Sequence, residues 1–305
     1  MVNIFGYRAF FVPELSVSNF GFTHMVSRAG RGEGMTGDVA EFIRVLDRIA
    51  PVHLAESWDN VGLQIGSRQW PVKKIWTALD PLVEVVDQAC ANHVDLLVTH
   101  HPLFFKAIKR IDCQTALGRI IQKALSCQLA IYSAHTNLDS AVGGVNDVLA
   151  SRIGLSDLCV LAQPTKADRS NNDTGLGRVG TLPASIRLSA LAEQLKKALN
   201  VGSLKVVGHL DQQVNTVAVC SGSGGSFLDA ALASGAQVYV SGDLGYHTAR
   251  DAQQAGIGLI DIGHFGSERL VVDALAASIR DVSQTRGLDV TVEAATIETD
   301  PFHQL

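Results

Sequence analysis

Short apolar runs alternate with segments of helical spacing along most of this chain, and that rhythm constrains its fold more than any one motif. Asp38 precedes Val39, Phe42, Ile43, Leu46 and Ile49, a spacing that predicts a helix with Asp38 as its cap. Strands follow over 63–65, 74–79, 94–99 and 129–133, with helices over 82–91 and 115–125. After a polar interval the theme returns, with strands over 214–220, 237–241 and 258–262 and helices over 227–234, 246–255 and 268–279. This order implies an α/β protein of two similar lobes with largely parallel sheets. The polar stretch "TKADRSNNDTGLGRVGTL" reads as the boundary, giving a first lobe over 35–160 and a second over 161–305.

The strands end in unusual company. "DLLVTHHPLFF" stops an apolar run at the adjacent His100 and His101, and "LAIYSAHTNLD" leads from a strand into His135-x-x-x-Asp139. In the second half "GLIDIGHFGSE" repeats that form as His264-x-x-x-Glu268, and "AQVYVSGD" sets Gly242 and Asp243 opposite the histidine pair, as in a duplicated unit. All leave the carboxyl ends of strands, the edge where open α/β sheets bind ligands. His100, His101, His135, Asp139, Asp243, His247, His264 and Glu268 therefore share one expected cleft. A single histidine after a strand is most often a surface or capping residue, and His53, His93, His209 and His303 are read that way. The paired and repeated groups offer neutral nitrogens and carboxylate oxygens suited to Zn²⁺, Mn²⁺ or Fe²⁺. Eight such groups exceed the needs of one ion, and two ions roughly 3.5–4 Å apart would use them.

Two glycine-rich stretches invite other readings. "GLGRVG" has the spacing of a dinucleotide fingerprint, but Pro183 follows and no helix opens there, so that reading is rejected. "SGSGGS" (221–226) lies between a strand and a helix and could cradle a phosphate, although a plain tight turn is the simpler reading.

Composition removes whole classes. No stretch approaches the ~20 apolar residues of a membrane helix. With 25 basic against 30 acidic residues the net charge is −5, which counts against DNA as a partner. The five cysteines form no C-x-x-C pair, which indicates a reducing compartment, the cytoplasm. Residues 1–34 lack the apolar centre of a secretory signal, and a disordered extension or a start assigned too far upstream is expected.

"ESWDNVGLQIG", "VTHHPLFF", "SAHTNLDSAVGGVND", "GLGRVG", "SGDLGYHTARDA" and "DIGHFGSE", in this order, resemble the Nif-three-like family, whose members carry the name GTP cyclohydrolase 1 type 2 homologue. The likeness spans about Met35 to Ile279, without the additional middle domain of longer members. It implies a homohexameric ring with a dinuclear metal centre in each chain and a small-molecule substrate, in the first instance a nucleotide. Carried over by position, His100, Asp139 and Glu268 would hold one ion, and His101, His264 and Glu268 the other. His135 and His247 would lie beside the metals and move protons, and Trp58, Asp59 and Asn60 would wall the cavity. The implied activity is metal-dependent hydrolysis, such as opening of a purine ring in GTP. The alternative is a metal-binding oligomeric scaffold or regulatory protein without turnover.

Overall fold

The computed structural model describes residues 35–163 and 173–303, so the expectation for residues 1–34 lies outside the described residues. The chain opens with a short strand, β1 (Gly37–Asp38), and α1 (Val39–Ile49), where the Asp38 carboxylate accepts from Glu41 N at 2.8 Å as the predicted cap. Then come β2 (Gly62–Ile65), β3 (Pro71–Val72), which pairs with β1, and β4 (Lys74–Ala78). Helix α2 (Val83–Ala91), β5 (Leu96–Thr99), α3 (Ala116–Ser126) and β6 (Ala130–Ser133) continue the predicted alternation. Two helices, α4 (Thr136–Ser140) and α5 (Val145–Ile153), lead to β7 (Ser156–Ala162) and β8 (Leu176–Arg187). The second half contains α6 (Leu188–Ala198), β9 (Lys205–Val207), β10 (Gln213–Ser223), α7 (Leu228–Ala233), β11 (Val238–Gly242) and α8 (Tyr246–Ala255). It ends with β12 (Gly258–Asp261), α9 (His264–Glu268), α10 (Leu270–Thr285) and β13 (Thr291–Ala294).

The strands form two principal sheets. The first has the order β13-β4-β5-β6-β2 and is parallel except at the β2 edge. The second, β7-β8-β10-β11-β12-β9, is mixed, because only β10, β11 and β12 run parallel. Strands β5, β6, β11 and β12 are buried along their whole length, which is why each reads as an unbroken apolar run. Helices cover both faces of each sheet. On the first, α1 and α10 bring Phe42, Leu46, Leu275 and Ile279 against Ile75 and Val98, while α2 and α3 cover the other face through Val85, Val86 and Ile121. None of the described helices is long and apolar enough to cross a membrane.

The sheets do not divide the chain at residue 160. β7 already belongs to the second sheet, whereas α10 and β13 return to the first, where Val292 pairs with Ile75. The expected boundary stretch is also partly a strand, since β8 lies between β7 and β10. Its glycines concealed it: a Cβ on Gly177 would sit 2.8 Å from Val219 O, and one on Gly180 would sit 2.7 Å from Ser156 O. Gly177 and Gly180 are there for close strand approach. Arg178 is buried too, with its guanidinium held by Asp147 and by the carbonyls of Gly175 and Gly177.

Candidate metal centre

The repeated half-motifs are placed alike. In each half two neighbouring parallel strands, β5 and β6 or β11 and β12, run side by side, and the second leads directly into a one-turn helix. His100 and His101 follow β5, His135 follows β6 with Asp139 on α4, and α9 begins at His264 and ends at Glu268. The helical spacing of α9 brings His264 and Glu268 onto one face, with Nε2 and Oε2 3.0 Å apart.

All five residues expected to hold metal converge. Ligand atoms of His101, His264 and Glu268 lie within 4.8 Å of one another, as do those of His100, Asp139 and Glu268, and those of His100, His101 and His135. Glu268 is central and 3% exposed. Its Oε1 lies 3.6 Å from His100 Nε2, and its Oε2 lies 3.0 Å from Nε2 of both His101 and His264. His100 Nε2 is also 3.7 Å from Asp139 Oδ1, which accepts from Ser221 Oγ at 3.3 Å.

Each histidine is aimed by its other nitrogen. His100 Nδ1 bonds to Ala134 O at 2.9 Å, His101 Nδ1 to Asp80 at 2.8 Å, His264 Nδ1 to Asp243 at 2.8 Å and His135 Nδ1 to Asp59 at 2.9 Å. A partner on Nδ1 fixes the tautomer and turns Nε2 inward, the arrangement that orients imidazoles for a metal ion. The inward atoms are left in need. His100 Nε2 and Glu268 Oε2 are buried without a hydrogen bond, and Nε2 of His101 and His264 face each other at 3.3 Å. Orphaned buried polar atoms cost roughly 1–3 kcal/mol each, and two facing lone pairs repel unless a cation or proton sits between them. The donor set therefore fits a divalent ion.

Without an ion, protons take that place. Burial lowers the His101 pKa, but the hydrogen bond to Asp80 and the nearby Glu268 carboxylate overcome it and raise the group to about 10. Contact with Glu268 outweighs burial at His264 and raises it to about 9. Burial alone would raise Glu268, but the surrounding histidines, His100 first, hold it well below the usual carboxylate range. Asp139 moves the other way, pushed up mainly by burial.

Two further features shape the site. A Cβ on Gly222, whose φ is +64°, would lie 2.3 Å from Glu268 Oε1, so this part of "SGSGGS" is glycine to let the chain pass the carboxylate. The amides there are occupied: Ser221 N donates to Asn146, Gly222 N to Ser267 and Gly224 N to Ser241. The first half of the stretch is the end of β10 and not the expected tight turn, and those three donors are unavailable to a phosphate. Trp58 and Phe105, 62% and 57% exposed, stand edge-on to the His135 ring at 6.0 and 5.6 Å.

Of the expected proton-transfer residues, His135 joins the cluster, with its ring 5.1 Å from that of His100 and 5.6 Å from that of His101. His247 is exposed on α8 beside Tyr246 and belongs to none of the three ligand groups. Asp59 does more than wall a cavity. Burial works against its charge, yet hydrogen bonds from His135 and Thr136 hold its pKa at about 2. Asp80 carries no sequence motif. Its signal was an acid two residues past the end of β4, the same strand edge as the histidines.

A family model described as Duf34/NIF3 (NGG1p interacting factor 3) matches residues 37–301. The GTP cyclohydrolase 1 type 2 homolog of Clostridium acetobutylicum is 33% identical over 268 residues, covering 88% of this chain and 99% of its own. The protein of that name in Bacillus subtilis aligns over 364 positions that use 86% of this chain, so it carries a segment without a counterpart here. Among solved structures, a Bacillus cereus protein related to NIF3 superposes with a TM-score of 0.84 at 28% identity, over 90% of this chain and 100% of that one. Reduced HcgD from Methanocaldococcus jannaschii gives 0.71 at 30% identity, over 86% and 99%. Matched across nearly all its described length in sequence and in fold, this chain belongs to the Duf34/NIF3 family.

Proposed function

We propose that this protein binds two divalent cations per chain and catalyses a hydrolysis with them, ring opening of a purine nucleotide such as GTP being the first reaction to test. The observation that carries this is the buried Glu268, with one oxygen facing His100 and the other facing His101 and His264. A carboxylate so placed could serve both ions. His100 and Asp139 would complete one set and His101 and His264 the other, with Zn²⁺, Mn²⁺ or Fe²⁺ chosen by supply as much as by ligand type. Bound there, such a pair supplies an acidified water and a polarised electrophile at neutral pH.

The chain's own residues do the rest. Asp59, kept charged, holds His135 by Nδ1 and stabilises the imidazolium formed when the ring takes a proton from water, until the ring passes that proton to a leaving group and is neutral again. Proton transfer is assigned to His135 and not to His247, which stands outside the clustered groups. His264, 36% exposed on its side chain, marks the side from which substrate enters, whereas His100 is sealed. The relatives' name supports GTP as the first substrate. The family resemblance supports a homohexameric ring, to be checked by sedimentation, and the cysteine usage supports the cytoplasm.

Elemental analysis of the purified protein should give two ions per chain, and GTP with Zn²⁺, Mn²⁺ or Fe²⁺ should release formate. Phosphate release instead would move the reading to phosphoester hydrolysis on the same centre. Two bound ions with no turnover of nucleotides or phosphoesters would refute catalysis and leave the metal-binding scaffold.

A further inference from the structure

Glu298 reaches this centre from the opposite end of the described sequence. Beyond β13 the chain crosses the carboxyl end of β4, with Ala295 N donating to Thr77 O at 2.8 Å and Ala295 O accepting from Arg269 Nη2 at 2.9 Å. Glu298, 8% exposed, then turns its carboxylate inward. Leu79 N donates to its two oxygens at 3.1 and 2.9 Å, and Asp80 N donates to Oε1 at 2.7 Å. Those two residues form a pedestal for His101. Leu79 O accepts the His101 backbone N–H at 2.9 Å, and Asp80 Oδ1 bonds to His101 Nδ1 at 2.8 Å. Both the main chain and the ring of His101 therefore rest on a dipeptide whose own amides are held by one buried carboxylate.

We infer that Glu298 is a positioning residue for the ion held by His101, His264 and Glu268, and that it acts through Asp80. The inference rests on the metal-centre reading above. Burying a carboxylate is expensive unless its hydrogen bonds need it. A strap required only to cover the sheet would be served by an apolar side chain. Here the charge meets the amides that set where Asp80 points, and Asp80 sets where His101 Nε2 points. His100 takes its orientation from Ala134 O, so its half of the centre does not depend on Glu298.

The test is a Zn²⁺ titration of the full chain against a chromophoric chelator, for wild type, E298Q, D80N, the double variant and R280A. Arg280 Nη2 donates to Val292 O at 2.8 Å, so R280A loosens β13 without touching the pedestal. Removing an outer partner of a ligating histidine weakens metal binding by about 10–100-fold. E298Q should weaken one of the two Zn²⁺ ions by about tenfold, the low end of that range, with the other little changed. The double variant should bind no more weakly than D80N alone, because effects in one chain of contacts do not add. R280A should lose melting temperature and keep both affinities. Should E298Q fail to fold, E298D, which withdraws the carboxylate by one methylene, should show the same selective loss. Wild-type affinities in E298Q (or in E298D, should it stand in), additive effects of E298Q and D80N, or an equal loss in R280A would each overturn the inference. A wild-type chain that binds no Zn²⁺ would overturn the metal reading and this inference together.

Discussion

Metal binding here should be a contest with protons, and the contest has a slope. In the ion-free chain His101 titrates at about 10 and His264 at about 9, so both are charged at neutral pH beside an ionised Glu268. A cation entering their group must expel both protons. Each expelled proton makes affinity rise about tenfold per pH unit. Between pH 7 and 9 the gain should approach about 100-fold per unit, falling to about tenfold from 9 to 10 as His264 becomes neutral unaided. Solvent reaches a third of the His264 side chain, and screening reduces its part, so one proton is the smallest slope the geometry allows. Calorimetry at pH 7.5 in buffers of different ionisation enthalpy, with free Zn²⁺ held by a chelator, reads the proton count directly. A count below one, with affinity flat from pH 7 to 9, would refute the picture of protons standing in for the ion.

Three further outcomes follow from the same contacts. Because folding raises the pKa of His101 and His264 above the ordinary histidine value, their contribution to stability is complete below about pH 6.5 and is lost as pH rises through 9 to 10. Melting of the ion-free chain should therefore fall across that window, and saturating Zn²⁺ should remove the decline. Gly222→Ala places a methyl against Glu268 at positive φ, so it should destabilise the fold by roughly 1–3 kcal/mol and abolish binding of at least one ion, checked by denaturant melts and elemental analysis. Trp58 lies beside the His135 ring; Co²⁺ titration should quench its emission, and Trp58→Phe should remove that response while leaving Co²⁺ affinity unchanged.

What the sequence displayed and what it concealed have physical causes. Strands buried on both faces must be apolar along their length, so β5, β6, β11 and β12 announce themselves, and the polar residues that end them stand out. His100, His101, Asp139, His264 and Glu268 were legible for that reason among eight such groups, and the family resemblance singled them out. Asp80 was not, because it meets His101 across a gap of 21 residues and no local spacing records it. Asp243 lies at φ 52°, a conformation that a short polar side chain tolerates, and its task of holding His264 is visible only in three dimensions. β8 was hidden by glycines needed for close approach, and β13 by its four-residue length and by a partner far upstream. The polar stretch was read as a lobe boundary, but 176–182 of it lies within a sheet.

The return of β13 to the side of β4 sets a timetable for biosynthesis. During translation Lys74–Ala78 leaves the ribosome long before Thr291–Ala294, its parallel neighbour. At roughly 5–20 residues per second the delay is about 10–40 s. Through that time the nascent first sheet has an open β4 edge and lacks the cover of α10 on Phe42 and Leu46. Glu268 is also made late, so His100 and His101 wait as unassembled donors, open to whichever cation the cell offers first.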